Sequence, residues 1–243
     1  MPKLNALFKH DAARTSVAFR PNVEKIVAIV QFLRKHDAFG KEWFLMGDTE
    51  EESFLYPAFD ASGQLTTAAE AVLEMQFKGK KSRYFGVWNG KLEEGDGASI
   101  VFKFRENDWP ASSLEIDHQS GLQRLGIDRI KELLLIIAGA LRPIFITVAR
   151  NQYSDKQVFQ DRPGVGWMLY LPHVLTVRQL PEARALVPVM GQDEKGKDKQ
   201  IGTIIVSVID EPFSDENPEH VKIANAIEIR LVDQDLLPRY ADL

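Results

Sequence analysis

The sequence predicts an α+β protein that forms a single domain over residues 1–243, with a mostly antiparallel or mixed sheet and about four to five helices. Three observations predict this class. Helix-type and strand-type apolar patterns are interspersed along the chain without a regular βαβ repeat. No low-complexity linker and no internal repeat divides the chain. Hydrophobic residues make up 44% of the sequence, which is ample for one large core.

The N-terminal part of the chain is predicted to contain two short strands and then a helix. Residues 4–8 and 16–20 are short apolar segments that fit strands. The helix is expected over residues 22–36, because apolar side chains recur there at helical spacing. Asn22 is its expected N-cap, since asparagine favours that position.

Two capping patterns predict the next helices. Thr49 and Glu52 have the spacing of a capping box, which predicts a short helix that runs towards Tyr56. Thr67 and Glu70 have the same spacing and open a longer helix with one apolar side.

Three strands are predicted in the middle of the chain. Residues 83–88 and 98–105 are apolar segments of strand length, and residues 112–117 fit a third strand. Asn89-Gly90 is a strong turn signal, and it leads into the loop between the first two strands.

The rest of the chain is predicted to alternate helices and strands. A helix over residues 127–141 is indicated by apolar side chains at helical spacing and ends before Pro143. Strands are expected at residues 144–148, 167–171 and 201–209, and the polar stretch 192–200 is expected to be a loop. A last helix is expected from Pro218 to about Asp233, because Asn217 suits the N-cap and proline suits the first helical position.

The known catalytic and metal-binding motifs are absent from the sequence. There is no cysteine, no phosphate-binding glycine loop and no nucleophile elbow. No two of the five histidines lie three or four residues apart, so no helix carries a local metal pair. Asp193-Glu194-Lys195 matches the tail of a restriction-nuclease pattern, but it lies in a charged loop and chance explains it better. We therefore predict no catalytic residue, no cofactor and no metal site.

Acidic residues form three clusters on a chain whose formal net charge is −5. A mildly acidic balance argues against nucleic acid as the main partner. Such clusters suit either a solvated surface or a patch that steers and docks a basic protein partner. The candidate partner-binding residues are Asp48, Glu50, Glu51 and Glu52 in the first cluster, Glu93, Glu94 and Asp96 in the second, and Asp210, Glu211, Asp215, Glu216 and Glu219 in the third.

Several segments occur together in an order and spacing typical of one known family. They are Gly86-Val87-Trp88-Asn89-Gly90, Gly164-Val165-Gly166-Trp167-Met168-Leu169-Tyr170-Leu171-Pro172, the strand at residues 202–208, the stretch 213–220, and a helix near residues 22–36 followed by Trp43. Over roughly residues 22–231, the chain resembles the immunity protein 52 family of bacterial polymorphic toxin systems.

The resemblance implies an α+β immunity protein, without enzyme activity, that binds a cognate toxin effector and blocks it in the cytoplasm of the producing cell. Toxins paired with this family are often restriction-endonuclease-like nucleases, in several cases delivered by type VI secretion. The resemblance leaves open whether the toxin's active site is occluded or an inactive conformation is held. It implies no interface residues, so the acidic clusters remain an inference from charge alone.

The sequence also bears on the membrane and on alternative functions. The longest apolar stretch, residues 133–141, is far shorter than the roughly 20 residues of a membrane span, and the first residues contain no signal-type apolar run. We therefore expect a cytoplasmic protein with no membrane partner. Two alternatives stay open: a hydrolase-type enzyme whose carboxylates converge from distant parts of the chain, and an assembly factor of a secretion apparatus.

Overall fold

Nine strands form one antiparallel sheet, in the spatial order β2-β3-β4-β5-β1-β6-β7-β9-β8. The computed structural model describes residues 1–9, 20–36, 39–78, 80, 82–105, 111–192 and 196–243. The strands are β1 (Pro2–Phe8), β2 (Phe44–Leu45), β3 (Ser82–Trp88), β4 (Ala98–Arg105), β5 (Ser112–His118), β6 (Phe145–Arg150), β7 (Met168–Leu171), β8 (Ala185–Gln192) and β9 (Asp198–Val206). The predicted α+β class and the antiparallel character of the sheet are confirmed.

Five α-helices accompany the sheet in the described part of the chain. They are α1 (Arg20–Leu33), α2 (Glu50–Ser53), α3 (Thr67–Phe77), α4 (Ile127–Leu141) and α5 (Pro218–Asp233). The predicted bounds of α4 and α5 are confirmed, and Asn217 Oδ1 accepts a hydrogen bond from the Glu219 N–H at 3.0 Å as the expected N-cap. None of these described helices is long and apolar enough to cross a membrane.

β1 occupies the centre of the sheet and joins its two halves. It pairs with β5 on one side and with β6 on the other, so that Leu4 lies opposite both Ile116 and Val148. Leu4, Ala6 and Phe8 are buried, while the residues between them are half-buried. One face of β1 therefore belongs to the apolar core. The same core includes α1 and α4, which also pack against each other.

The opposite face of the sheet is open on one half and covered on the other. In β1 and β5 this face carries half-buried polar side chains, with Asn5 opposite Glu115. Towards β6 and β7 the same face is buried. Asn5 lies opposite Thr147 of β6, which in turn lies opposite Leu169 of β7, and both Thr147 and Leu169 are buried. The β3-β4-β5-β1 half therefore exposes more of its sheet surface than the β6-β7-β9 half.

Both edges of the sheet are formed by short or interrupted strands. β2 has only two residues, which pair with Val87 and Trp88 of β3. At the other edge, β8 contains Pro188, and its pairing with β9 shifts register between Val189 and Met190. A proline lacks the N–H that a further strand would need, and a bulge distorts the edge. Both features hinder the addition of another strand.

A buried carboxylate fastens α5 to the segment that follows β6. Glu228 is 1% exposed and accepts hydrogen bonds from the Tyr153 hydroxyl at 2.6 Å, the Val158 N–H at 2.8 Å and the Val165 N–H at 2.9 Å. Burial raises the pKa of Glu228 above its ordinary value and outweighs the lowering effect of these hydrogen bonds. Burial also raises the pKa of Tyr153, and the neighbouring Glu228 adds to that effect.

Two helix starts differ from the sequence prediction. α1 begins at Arg20, so the expected N-cap Asn22 lies inside the helix. Thr66, not Thr67, caps α3, because its Oγ1 accepts from the Ala69 N–H at 3.1 Å. The Thr66 hydroxyl also donates to the Pro57 carbonyl at 2.7 Å, which fixes this threonine at the cap. The short helix α2 is present, but it ends at Ser53 before reaching Tyr56.

The strand predictions are confirmed in most places, with ends shifted by a few residues. The strand predicted at residues 16–20 is wrong at Arg20, which is helical, and its other residues lie outside the described part. β8 was not predicted, since Pro188 interrupts its pattern. The prediction of a loop at residues 192–200 is wrong from Asp198 onward, because β9 begins there with exposed polar residues. The segment Asp193-Glu194-Lys195 lies outside the described residues.

Replacing Glu228 by glutamine (E228Q) is expected to flatten part of the pH dependence of stability. Because the pKa of Glu228 is raised, the folded protein binds this proton more tightly than the unfolded chain does. The resulting stabilisation is fully present below the ordinary carboxyl pKa and is lost as the pH rises through the raised pKa. Urea unfolding between about pH 4 and about pH 8 should show this loss in the wild type only.

The exposed Glu74 of α3 provides the matched control, because E74Q should keep the wild-type pH profile. E228Q should also lose about 1–3 kcal/mol of unfolding free energy, since an amide cannot accept all three hydrogen bonds that Glu228 accepts. Parallel profiles for E228Q and the wild type would contradict the raised pKa of Glu228.

Candidate functional site

The first acidic cluster lies on α2 and the residue before its cap. The Thr49 Oγ1 accepts a hydrogen bond from the Glu52 N–H at 3.2 Å, as the capping pattern predicts. Glu52 Oε2 accepts from the Asp48 N–H at 3.1 Å, one residue earlier than in a standard capping box. Asp48, Glu50, Glu51 and Glu52 are all exposed, and within the described residues none of them forms an ion pair. Their charges therefore face solvent.

The backbone that carries this cluster is held in one shape by short contacts. The Ser53 Oγ accepts from the Gly47 N–H at 2.9 Å and donates to the Thr49 carbonyl at 2.8 Å. A Cβ added to Gly47 would lie 2.7 Å from the Glu52 Cβ and 2.8 Å from the Ser53 nitrogen, so only glycine fits there. Because the loop is fixed before binding, a partner would lose little freedom in ordering it.

A pocket of about 300 Å³ opens beside the first cluster, where β2 ends and leaves β3 uncovered. We call it the edge pocket. Its apolar lining comes from Leu45, Met46, Leu55, Val72 and Leu73, and its acidic lining from Asp48 and Glu52. No lysine or arginine is found among its described lining residues. The edge pocket thus combines apolar side chains with acidic ones, and Tyr56, Gln76 and Tyr84 add uncharged polar groups to its lining.

The rim of the edge pocket exposes large apolar side chains. Leu55 is 62% exposed and Tyr84 is 49% exposed, and both line the pocket. The Tyr84 hydroxyl lies 3.6 Å from the Met46 sulfur, in a space that exists because residue 86 is glycine: a Cβ there would lie 2.6 Å from that sulfur. Exposed aromatic and aliphatic residues around a small pocket are typical of protein-binding surfaces.

Phe54 extends this apolar rim towards the β3–β4 loop. Its ring is 39% exposed and lies 5.2 Å from the Phe44 ring and 5.1 Å from the Trp88 ring. Gly90 has φ +67, as the Asn-Gly turn signal suggests, and a Cβ there would lie 2.7 Å from the Phe44 ring. The turn and the aromatic group are therefore packed together.

The second acidic cluster lies in the loop between β3 and β4. Asn89 organises this loop: its Oδ1 accepts from the Ala98 N–H at 3.0 Å and its Nδ2 donates to the Asp96 carbonyl at 2.9 Å. Asp96 also pairs with Arg124 at 2.9 Å, and this hydrogen bond holds the pKa of Asp96 below its ordinary value. Glu93 and Glu94 are exposed. Asp96 thus fixes the loop, while its two neighbours face solvent.

The third acidic cluster precedes and begins α5, and its members differ sharply in exposure. Asp215 is 4% exposed, and its Oδ1 lies 2.8 Å from the Arg150 Nε. The Asp215 carbonyl also accepts from the Lys156 Nζ at 2.6 Å. Asp210, Glu211, Glu216 and Glu219 are exposed. Asp215 therefore anchors the loop to β6. Of the exposed members, Glu211 also contacts His220 and Glu219 lies 3.6 Å from Lys222.

A buried histidine holds the same loop from the other side. The His220 Nδ1 accepts from the Ser214 N–H at 3.1 Å, and its Nε2 lies 3.1 Å from the Glu211 Oε1. The His220 and Phe213 rings are 5.8 Å apart. This lone histidine thus has a packing role, as expected for a histidine without a metal-ligand partner nearby.

The sheet brings the second and third acidic clusters to one end. β3 and β5 finish at this end, β4 starts there, and the second cluster follows β3. β6 also finishes there at Arg150, opposite Pro2 at the start of β1, and Asp215 is paired with Arg150. The first cluster lies apart from them, beside the β2 edge. Sequence reasoning could not predict this grouping, because it depends on the position of β1.

The strongest pKa shifts of the described residues do not mark a catalytic site. Tyr153 and Glu228 are each 1% exposed and bond to each other and to backbone groups, so a substrate has no access to them. Within the described ranges, no group of three His, Asp or Glu residues is arranged to hold a metal ion. The described surface thus presents three acidic clusters and, beside the first of them, the edge pocket.

Comparison with known proteins decides the family of this chain. A sequence model of the family described as immunity protein 52 matches residues 23–239. The chain belongs to the immunity protein 52 family. Its fold is similar to a solved T6SS protein of Pseudomonas aeruginosa, with a TM-score of 0.52 and 12% sequence identity over 93% of this chain and 75% of that chain. No curated protein is similar enough to count as a match.

The family match confirms the resemblance that the sequence indicates, and it supports an immunity protein role. Segments that carry the resemblance contribute strands to the core of this immunity protein, among them β3 and β7. The Trp167 Nε1 donates to the Val208 carbonyl at 3.0 Å, and Met168–Leu171 form the fully buried strand β7. The segment Gly164–Pro172 therefore contributes to the apolar core of the fold.

Sequence reasoning found the acidic clusters of this immunity protein but missed the edge pocket. It could not separate Asp215, which is buried, from the exposed Glu216 beside it. A usable signal for the pocket was present: Leu55 lies in an apolar run directly after a capped, highly acidic helix, where polar residues are expected.

Replacing Asp215 by alanine (D215A) is expected to lower the free energy of unfolding by about 1–3 kcal/mol, because Arg150 would lose its partner in a mostly buried place. Urea unfolding monitored by tryptophan fluorescence measures this loss. The neighbouring substitution E216A is the control and should change stability by no more than about 0.5 kcal/mol. Equal stability of the two variants would show that Asp215 has no anchoring role.

Proposed function

We propose that this protein protects its producing cell by binding a cognate toxin effector and blocking it, without a catalytic step of its own. The observation that carries this proposal is the family match over residues 23–239. Inhibition by binding needs a complementary surface and no reacting groups. The exposed carboxylates of the three acidic clusters supply charge for such a surface.

We further propose that the toxin is a restriction-endonuclease-like nuclease delivered by type VI secretion. A nuclease must hold the phosphate backbone in a basic groove, and an acidic inhibitor surface is complementary to such a groove. The naming of a protein of similar fold as a T6SS protein supports the delivery route. Because a nuclease attacks nucleic acid inside the cell, the cytoplasm is the compartment that we propose for protection.

The geometry refines which acidic residues would meet the toxin. Asp96 and Asp215 are engaged with Arg124 and Arg150, so we assign them the role of positioning their loops. The proposed contact residues are the exposed carboxylates Asp48, Glu50, Glu51, Glu52, Glu93, Glu94, Asp210, Glu211, Glu216 and Glu219. Neither a hydrolase function nor an assembly role is favoured by a specific feature of the described residues.

Co-production of this chain with the toxin encoded by the neighbouring gene is expected to restore bacterial growth. The two proteins should also co-elute in size-exclusion chromatography, with a dissociation constant on the order of 1–100 nM. A strain with the empty vector is the control for growth. Continued killing together with separate elution would contradict the immunity role of this chain.

Charge reversal in the third cluster is expected to slow association with that toxin. The triple variant D210K/E216K/E219K removes exposed negative charge that would steer a basic protein, so the association rate should fall by about tenfold or more at low salt. Stopped-flow measurements at several salt concentrations should also show a weaker salt dependence.

The matched control for charge is D198K, because Asp198 is exposed at the start of β9, close to the opposite edge of the sheet from β2. It should associate as the wild type does. If the triple variant also kept the wild-type association rate, the third cluster would have no part in steering, while the immunity role would stand.

A further inference from the structure

We infer that the edge pocket is the short-range anchor site for the toxin, which inserts an apolar side chain there from a segment rich in lysine or arginine. This inference rests on the proposed function and names the surface and the chemistry of the contact. It differs from steering by charge, because it assigns the binding energy to one apolar pocket and its acidic side.

The apolar part of the inference rests on exposure and size. Leu55 and Tyr84 expose 62% and 49% of their surface at the rim, while Leu73 at the base is 2% exposed. A volume of about 300 Å³ lies at the small end of ligand cavities, which are roughly 300–1,000 Å³. That volume suits an inserted side chain. A few such anchors in small pockets supply most of the energy of typical protein interfaces.

The charge of the occupant follows from the side chains around the pocket. Asp48 and Glu52 line it, Glu50 and Glu51 lie beside it, and its described lining contains no basic residue. A partner segment with lysine or arginine next to its apolar anchor would neutralise this charge.

Two other depressions on the described surface lack this uniform charge. The groove along α5 is lined by Lys156 and Lys222 as well as Glu216. The depression near the C-terminal segment is lined by Arg162 and Arg239 as well as by carboxylates. Charge complementarity to a basic partner therefore singles out the edge pocket among the three.

A second copy of this chain is disfavoured as the occupant. In a symmetric dimer the same patch of both copies meets, so the first acidic cluster would face its own copy and repel it. The hydrogen bonds around Gly47 and Ser53 hold the backbone that carries these charges at this position. A basic partner protein would be attracted to these charges.

The test uses the full-length chain and the purified toxin from the neighbouring gene, made catalytically inactive. We expect L55A and Y84A each to raise the dissociation constant by at least about tenfold, mainly through faster dissociation, as loss of a central anchor does. M190A is the matched control, because Met190 is 57% exposed on β8 at the far edge of the sheet. Circular dichroism and thermal unfolding would verify that each variant is folded.

The double variant E50K/E51K tests whether the occupant is basic. The carboxylates of Glu50 and Glu51 support no hydrogen bond of the described loop. This variant should slow association at low salt and bind more weakly, while D198K should match the wild type. Wild-type binding by E50K/E51K would overturn the basic character of the occupant. Wild-type binding by both L55A and Y84A would overturn the pocket itself.

The outcomes separate this inference from the proposed function. If the wild-type chain binds and protects while L55A and Y84A behave like M190A, only the pocket assignment fails. If the wild-type chain does not bind the toxin, the proposed function fails and the pocket inference fails with it. If the wild-type chain alone forms a dimer that L55A dissolves, the pocket is a contact between copies and the inference is wrong.

Discussion

The pairing of β1 with two neighbours at once is the constraint on which the rest of this structure depends. The strands from residues 44–118 and those from residues 145–206 are not paired with each other in the described chain, and each group reaches the other only through Pro2–Phe8. Because strand register fixes which side chains face the core, β1 aligns both halves on one apolar layer. It also sets which loops meet at the end of the sheet.

That alignment explains why acidic residues close together in sequence have different roles. At the end of the sheet, two carboxylates pair with arginines from other elements: Asp215 is buried beside Arg150, and Asp96 pairs with Arg124 at the surface. Their neighbours Glu94 and Glu216 keep their charge in water. These ion pairs link the loops to neighbouring elements, and the remaining carboxylates leave negative charge at the surface.

The sequence predicts α4 from its apolar periodicity and the proline that follows it, and α5 from its Asn217-Pro218 start, because these signals are local. It misplaces the cap of α3, because Thr66 and Thr67 are chemically alike and only the contact with Pro57 distinguishes them. The sequence does not predict β8, because Pro188 and exposed side chains remove the apolar pattern that marks an inner strand. The edge pocket depends on three elements that meet far apart in sequence, so periodicity cannot reveal it. The family resemblance supplied the immunity role, which no local pattern contains.

The two blocked edges of the sheet have an evolutionary consequence. With β8 interrupted by Pro188 and a bulge, and with β2 only two residues long, both edges hinder a partner from extending the sheet through backbone hydrogen bonds. Recognition of a partner then depends on contacts between side chains, and substitutions can change these side chains one at a time. A toxin and its inhibitor can therefore drift together to new pairings by exchanging a handful of surface residues, while the scaffold that presents them is inherited unaltered.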